Sequence, residues 1–286
     1  MDFDFSLESA TASVQDLDKK TYETDTRFYT LKKDDKGNGA AVIRFLPSEI
    51  HENGSMSTMK VVYRYNVRAL TTKRFIAEWS PSTIGKSDPI QEKWSELWNA
   101  GKQEESKRYA RSTRYIANIK VIKDPANPEN EGKIFLLDMS KTLGEKIKAI
   151  INPPETERAM GIEPKNLFNP LQGGFNFMLV AKIGSNGFTN YDSSTVAPES
   201  TAIYNSKDEA IKDISEHCYK LSDWDKEGAY KSYDELKALL DNLETPTQSG
   251  SSKVDATEVS TEAFPKVDTP STETQSLDDL MASLGK

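Results

Sequence analysis

The chain has 286 residues, 36% of them hydrophobic, one cysteine (Cys218) and a formal net charge of −8. That length bounds the chain to one or two domains, and the low apolar content implies that part of it lies outside any packed core. A lone cysteine excludes an internal disulfide, and no run approaches the ~18 apolar residues of a membrane span, so a soluble, intracellular protein is expected.

The charge is unevenly spread. Residues 1–26 carry −5 and residues 245–286 carry −4, which leaves +1 for residues 27–244. An acidic total over a near-neutral body points to a nucleic-acid binder with acidic arms. Residues 1–26 read as an arm, and the opening MDFDFSLES has neither the basic start nor the apolar core of a signal peptide. NGAAVIRFLP (38–47) then reads as a turn, a strand and a stop at Pro47. MKVVYRYNV (59–67) and KRFIAEW (73–79) are rich in β-branched and aromatic residues across a short polar break, which suits a hairpin.

Asp88-Pro89 opens a helix, with Asp88 as cap, Pro89 at the first helical position and Gln91 completing a capping box. That helix is expected to continue toward KRYARSTRY (107–115), which leads into the strand YIANIKVI (115–122). KIFLLDM (133–139) is the next strand, and Ser140 caps a helix to Ile151. A Pro-rich loop to about residue 172, a strand GFNFMLVAKI (174–183) and a tight turn GSNGF (184–188) follow. Two helices with Ser-x-x-Glu boxes, Ser206/Glu209 and Ser232/Glu235, close the body. From residue 245 the chain is Ser/Thr/Pro/acid-rich, with a disordered tail as the expectation. Short strands, intervening helices and long loops predict an α+β fold, best met by a small closed or partly open β-barrel with helical insertions.

Catalysis is hard to assemble from this inventory. His51 and His217 form no motif with Cys218, which lies on the apolar stripe Ile211, Ile214, Cys218, Leu221 and reads as a packed thiol. Gly85-Lys86-Ser87 ends like a phosphate-binding loop, but Ser80 stands where that pattern needs glycine, and Asp88-Pro89 restarts the chain. No Cys-x-x-Cys or His-x-x-x-His spacing offers a metal site. A non-enzymatic role follows.

Two segments pair cations with aromatic rings. The first holds Lys60, Arg64, Arg68, Lys73 and Arg74 with Tyr63, Tyr65 and Phe75, and no acid lies between Lys60 and Ala77. The second holds Lys107, Arg108, Arg111 and Arg114 with Tyr109 and Tyr115. Single strands are held without sequence preference in this way, cations tracking phosphates while rings stack on bases at ~1–3 kcal/mol each. Arginine suits the role because its planar fork pairs with a phosphate or stacks on a base. The other readings are solvated charge with core tyrosines, or a module that meets an acidic protein. In the tail, Leu277, Leu280, Met281 and Leu284 follow helical spacing beside Asp278 and Asp279, a partner-docking pattern.

The segments GNGAAVIRFLPS (37–48), YIANIKVIKDPANPENEGKIF (115–135), GEKIKAII (144–151), GFNFMLVAK (174–182), GFTNYDSS (187–194) and the ending SLDDLMASL resemble the T-even-type bacteriophage single-stranded DNA-binding protein family, also called helix-destabilising proteins. The resemblance implies an oligonucleotide-binding-type barrel (27–244) with a cleft for single strands, and roles in phage DNA replication, recombination and repair in the host cytoplasm. It implies self-association along the strand through the arm (1–26), and recruitment of replication and recombination proteins by the acidic tail (245–286). By motif position, Arg111, Tyr115, Phe188 and Tyr191 carry over as strand contacts. Trp98 falls on a family tyrosine, and Arg44 in VIRFLP also carries over.

Three departures qualify the resemblance. The family's zinc ion, held by one histidine and three cysteines, meets Asn66, Trp79, Asp88 and Gln91 here. No zinc is therefore expected, with a replacement packed around Trp79, Trp94 and Trp98. Leu136, Leu137 and Asp138 stand where the family has basic and aromatic residues. The arm is acidic where the family's is basic.

Overall fold

A computed structural model describes residues 25–50, 55–70, 74–185 and 187–244. The arm to residue 24 and the tail from residue 245 lie outside the described residues, and with them the docking segment Leu277, Asp278, Asp279, Leu280, Met281 and Leu284.

The principal strands are β1 (Gly39–Leu46), β2 (Glu49–Ile50), β3 (Met56–Ser57), β4 (Lys60–Arg64), β5 (Val67–Arg68), β6 (Phe75–Ile76), β7 (Ser112–Lys123), β8 (Ile134–Ser140), β9 (Phe175–Ile183), β10 (Thr189–Asn190) and β11 (Thr195–Ser200). The helices are α1 (Pro89–Asn99), α2 (Gln103–Ser106), α3 (Lys141–Ile151), α4 (Glu155–Ala159), α5 (Lys207–His217) and α6 (Tyr233–Glu244).

The long strand β7 organises the sheet. Its first half, Ser112–Ile116, pairs with β4, and its second half pairs with β1. β8 runs along the opposite edge from Arg114 to Lys120. β1 pairs onward with β9, which also carries β10 and β11. Every one of these pairings is antiparallel, and the fold is α+β as the sequence predicts. Among the described residues no ladder joins β8 to β10 or β11, so hydrogen bonding does not close the sheet into a barrel.

Period-2 alternation in β7 explains its two faces. Tyr115, Ala117, Ile119 and Val121 face the main core with Ile43, Phe45, Leu137, Met139 and Phe177, capped by Leu143 and Ile147 of α3. Ile116 faces the other way, onto Val62, Leu136, Leu221 and Trp224. With apolar residues on both faces, the strand is buried from Tyr115 to Ile119, and its charged members, Arg114, Lys120 and Lys123, flank that stretch. Each large apolar side chain so buried contributes roughly 1.5–3 kcal/mol.

A separate helical lobe forms around the β5–β6 hairpin. Tyr65, Val67, Ile76, Ile90, Leu97, Tyr109, Leu236 and Leu240 make its core. A hairpin forms between the two predicted segments, with Val67 opposite Ile76 and Arg68 opposite Phe75. The earlier part of that segment leaves the hairpin to pair with β7 as β4. For the same reason β7 begins at Ser112, ahead of the predicted start at Tyr115.

The predicted cap residues accept from their helices, though in the Ser206/Glu209 pair the Glu209 carboxylate turns to Asn205 N at 2.9 Å rather than to Ser206. Asp88 accepts from the Ile90 and Gln91 amides, and the Ser140 hydroxyl accepts from Leu143 N at 3.3 Å. Ser232 and Glu235 form a reciprocal box, with Glu235 N to Ser232 Oγ at 3.3 Å and Ser232 N to Glu235 Oε2 at 2.8 Å. The predicted continuation of α1 into KRYARSTRY does not occur. Gly101 takes a left-handed φ of 77°, Gly101 N donates to Trp98 O and Lys102 N to Leu97 O. That double bond is a Schellman stop, and the glycine makes it inexpensive.

Candidate nucleic-acid interface

The end of β4 and the start of β7 lie side by side, with Arg64 opposite Ser112 and Val62 opposite Arg114. This register gathers Arg64, Arg111 and Arg114 at one end of the ribbon. The Arg111 guanidinium lies 4.0 Å from the Tyr63 ring centroid and donates to Ser82 Oγ. Arg64 lies 4.9 Å from the Trp79 ring centroid. Both are cation–π contacts, with a flat ring and a flat cation in one surface. Arg64 and Arg114 share one carboxylate: Arg64 Nη1 is 3.2 Å from Asp138 Oδ2, and Arg114 Nε is 2.7 Å from Asp138 Oδ1. Arg111 is exposed, whereas Arg64 and Arg114 are partly buried.

A groove of ≈ 540 Å³ extends from this ribbon between β8, the first turns of α3 and the β10 region. Arg114, Asp138, Thr142, Lys146, Asn190 and Tyr191 are among its lining residues. Arg114 and Tyr191, chosen from separate segments, thus line one groove. Lys146 escaped the sequence reading. It sits in GEKIKAII with only helical amphipathicity to mark it, and donates to Asp192 O at 2.7 Å. Phe188 is half-buried in the adjoining turn, and Tyr191 also packs against the main core.

Other predicted contacts lie elsewhere. Arg68 is exposed on the hairpin, and its carbonyl accepts from Arg108 Nη2 at 2.8 Å. Arg108 is partly buried, 5.3 Å from the Tyr109 ring centroid. Lys107 is exposed and paired with Glu104 at 2.7 Å. Trp98, 44% exposed, stacks on Trp94 with centroids 5.4 Å apart and leaves indole surface in solvent.

Three expectations are corrected. Arg44 is 0% exposed. Its Nε donates to Asn176 Oδ1 at 3.0 Å, Nη1 to Asn169 O at 2.6 Å and Nη2 to Thr201 O at 2.8 Å. It staples β1 to β9 and to the loops beside them, and offers no atom to a strand; burial lowers its pKa to about 10, still charged at neutral pH. A Cβ on Gly174 would fall 2.5 Å from Arg44 Nη1, so glycine there makes room for the staple. Tyr109 is 3% exposed inside the lobe core, where its ring has no free face for a base. Tyr115 is 6% exposed, packed against Gly144, and its hydroxyl donates to Glu145. Its parity with Ala117, Ile119 and Val121 sends it inward. The hydrogen bond to Glu145, then burial, raises the phenol pKa, which keeps it protonated as the donor.

The residues at the family's zinc positions do not fit that ion. Trp79 has no ligating atom, and Asp88 is 3% exposed with its carboxylate already engaged. Asp88 Oδ2 accepts from the Tyr65 hydroxyl at 3.0 Å and from Ser80, while Oδ1 caps α1. Burial raises the Tyr65 pKa, so it remains a donor. Among the described residues no group of three His, Cys, Asp or Glu side chains is placed to hold a metal. The expected replacement around Trp79, Trp94 and Trp98 is only partly found. Trp94 and Trp98 pair on α1, but Trp79 joins Phe28 and Trp224 in a separate cluster. Gly85-Lys86-Ser87 is no phosphate loop, because α1 starts after it and Lys86 pairs with Glu227 at 2.6 Å.

Residues 37–244 match the family described as gp32 DNA binding protein like. The chain is 37% identical over 213 residues to the single-stranded DNA-binding protein of Enterobacteria phage T4, covering 73% of this chain and 67% of that protein. It is 35% identical over 223 residues to the single-stranded DNA-binding protein of Enterobacteria phage T2, covering 75% and 69%. No helix among the described residues is long and apolar enough to cross a membrane. With a family match across the whole described sheet and lobe from β1 to α6, this chain belongs to the gp32 DNA-binding-protein-like family.

Proposed function

We propose that this chain binds single-stranded DNA without sequence preference, coats and protects it, and destabilises duplex during phage DNA replication, recombination and repair in the host cytoplasm. The observation that carries the reading is the meeting of Arg64, Arg111 and Arg114 with the Tyr63 and Trp79 rings at the β4–β7 end. Cations there meet phosphates, and rings such as Trp98 and Tyr191 stack on bases. Binding only the unpaired state pulls the duplex equilibrium toward single strands by mass action. An oligonucleotide-binding-type barrel fits the strand order, with the β8–β10 gap as its open side. The role is non-enzymatic and zinc-free, with Asp88 in the place of the metal. The acidic arm serves self-association along the strand, and the tail recruits replication and recombination proteins.

Tryptophan quenching by poly-dT tests the reading. Quenching that salt reverses, with affinity falling by roughly 0.7 log units per log unit of salt for each neutralised phosphate, is the expected result. Arg111→Ala should shallow that slope by about 0.7 without unfolding. Equal affinity for duplex and single strands overturns the reading, and preference for an acidic protein over poly-dT would replace it with a protein-interaction module. Metal analysis of the purified chain should find no stoichiometric zinc.

A further inference from the structure

The cations of the proposed interface are not idle in the free protein. Arg64 and Arg114 converge on Asp138 from two strands, with side chains 33% and 26% exposed around a carboxylate that is 16% exposed. Arg114 Nη2 also reaches the Asp138 carbonyl at 3.4 Å. Two guanidinium groups flanking two oxygens is the arrangement by which arginines hold a phosphate. The pairing leaves one donor unmet, since the buried Arg64 Nε has no hydrogen-bond partner. Asp138 lines the same groove as Arg114, Lys146 and Tyr191. Of the residues lining that groove, the acids are Asp138 and Asp192.

We infer that Asp138 is an internal competitor for the strand: its carboxylate holds the position between Arg64 and Arg114 that a phosphate takes on binding, and so sets the affinity low. The inference rests on the single-strand reading above. On binding, a phosphate oxygen takes the guanidinium donors, the Arg64 Nε–H gains an acceptor, and the displaced carboxylate takes up a cation from solution. That uptake opposes the counterions released from DNA, so the wild type shows a shallower salt slope than its cations alone predict. The exchange keeps binding reversible, because the arginines return to a partner rather than to water when the strand leaves.

The test compares the full-length wild type with Asp138→Asn and Asp138→Ser on a dye-labelled oligo-dT. Glu129→Gln, in the loop at the far end of β7, controls for the change in net charge. Removing the carboxylate should steepen the slope by roughly 0.7, a gain of about threefold in affinity at ~0.2 M salt and about eightfold at ~0.05 M. Glu129→Gln should leave the slope unchanged. Weaker binding, or an unchanged slope in both Asp138 variants, overturns the inference and makes Asp138 a strut that holds the arginines in place. If the variants fail to fold, the Arg114 Nε–H resonance of the wild type decides. It should shift in step with oligo-dT saturation, and an unmoved resonance at saturation overturns the inference. A wild type that binds no oligo-dT removes the single-strand reading itself, an outcome separate from the other two.

Discussion

Asp88 should govern the helical lobe. Its side chain ties three pieces of chain together: Tyr65 ahead of the β5–β6 hairpin, Ser80 after it, and the first turn of α1. Asp88→Ala removes the α1 cap, at about 1 kcal/mol. It also takes the carboxylate acceptor from the buried Tyr65 hydroxyl, at roughly 1–3 kcal/mol, and from Ser80, whose hydroxyl keeps Ser82 Oγ at 2.6 Å and so loses less. The losses share one network and do not add fully, so the net is about 2–4 kcal/mol. That is a large part of the ~5–15 kcal/mol by which a domain is stable. Asp88→Asn keeps the Oδ1 acceptor for the cap and turns an NH2 donor toward the Tyr65 and Ser80 hydroxyls, which can reorient to accept, so it should lose about half as much. Urea denaturation followed by tryptophan fluorescence reads both, since Trp94 packs against this core. The wild-type midpoint should be the same with and without a strong zinc chelator. A loss under ~1 kcal/mol in Asp88→Ala would refute the hub, and a chelator-induced drop in the wild type would restore a metal to the lobe.

Further outcomes follow from the same contacts. Arg44→Ala takes donors from Asn176 and from the Asn169 and Thr201 carbonyls, and should cost about 3–5 kcal/mol in urea denaturation; Arg44→Lys should also be destabilised, because a point ammonium cannot replace a three-sided fork. Burial, then the nearby Asp213 charge, raises the Cys218 pKa to about 12. Native-state alkylation at pH 8 should therefore be at least ~10-fold slower than in the urea-unfolded chain, as mass spectrometry would read it. Burial raises the Asp213 pKa, but hydrogen bonds from Lys120 and Tyr204 outweigh it and hold the carboxyl below its ordinary 3.8. A depressed carboxyl pKa stabilises the fold above the unfolded value and loses that contribution as pH falls through the folded one. Wild type and Asp213→Asn should accordingly stay apart at neutral pH and converge in thermal stability as pH falls below the ordinary carboxyl value of 3.8.

Strand and helix positions were largely legible because they rest on local chemistry. Caps at Asp88, Ser140, Ser206 and Ser232, and alternation in β1 and β7, act within a few residues. The short strands β10 and β11 were not legible, since they exist only through pairing with β9. Nor was the Asp88 hub, because Tyr65 and Ser80 reach it across chain separations that no local pattern encodes. The candidate site was half legible. Residue type flagged clusters of cations and rings, but type alone does not say which way a side chain points. In KRYARSTRYIAN, Tyr115 shares parity with the apolar run behind it, and that parity decides in favour of the core. Tyr109 precedes the strand and has no such cue; it is buried because Leu97 and Leu236 approach from α1 and α6.

Net charge, too, misleads when it is read without partners. The body's +1 is not a bare excess over the interface. Lys60 is paired with Asp225, Lys86 with Glu227, Lys107 with Glu104, and Arg64 and Arg114 with Asp138. The pairs differ in kind. Glu104 is 85% exposed, so its pair with Lys107 is screened by salt and is worth little. Asp138 is 16% exposed and faces two guanidinium groups, so its pairs persist at salt that dissolves the others. On the proposed single-strand reading, a strand that approaches the groove meets a graded surface. Loosely paired lysines outside the groove, such as Lys107, yield first and give rapid, salt-sensitive encounter, and the Asp138 clamp within it yields last and sets how long the strand stays. Association rates should then depend on salt more steeply than dissociation rates in the wild type. Removing Asp138 should act mainly on dissociation, which stopped-flow mixing with oligo-dT would resolve; an effect confined to association would place the clamp outside the final contact.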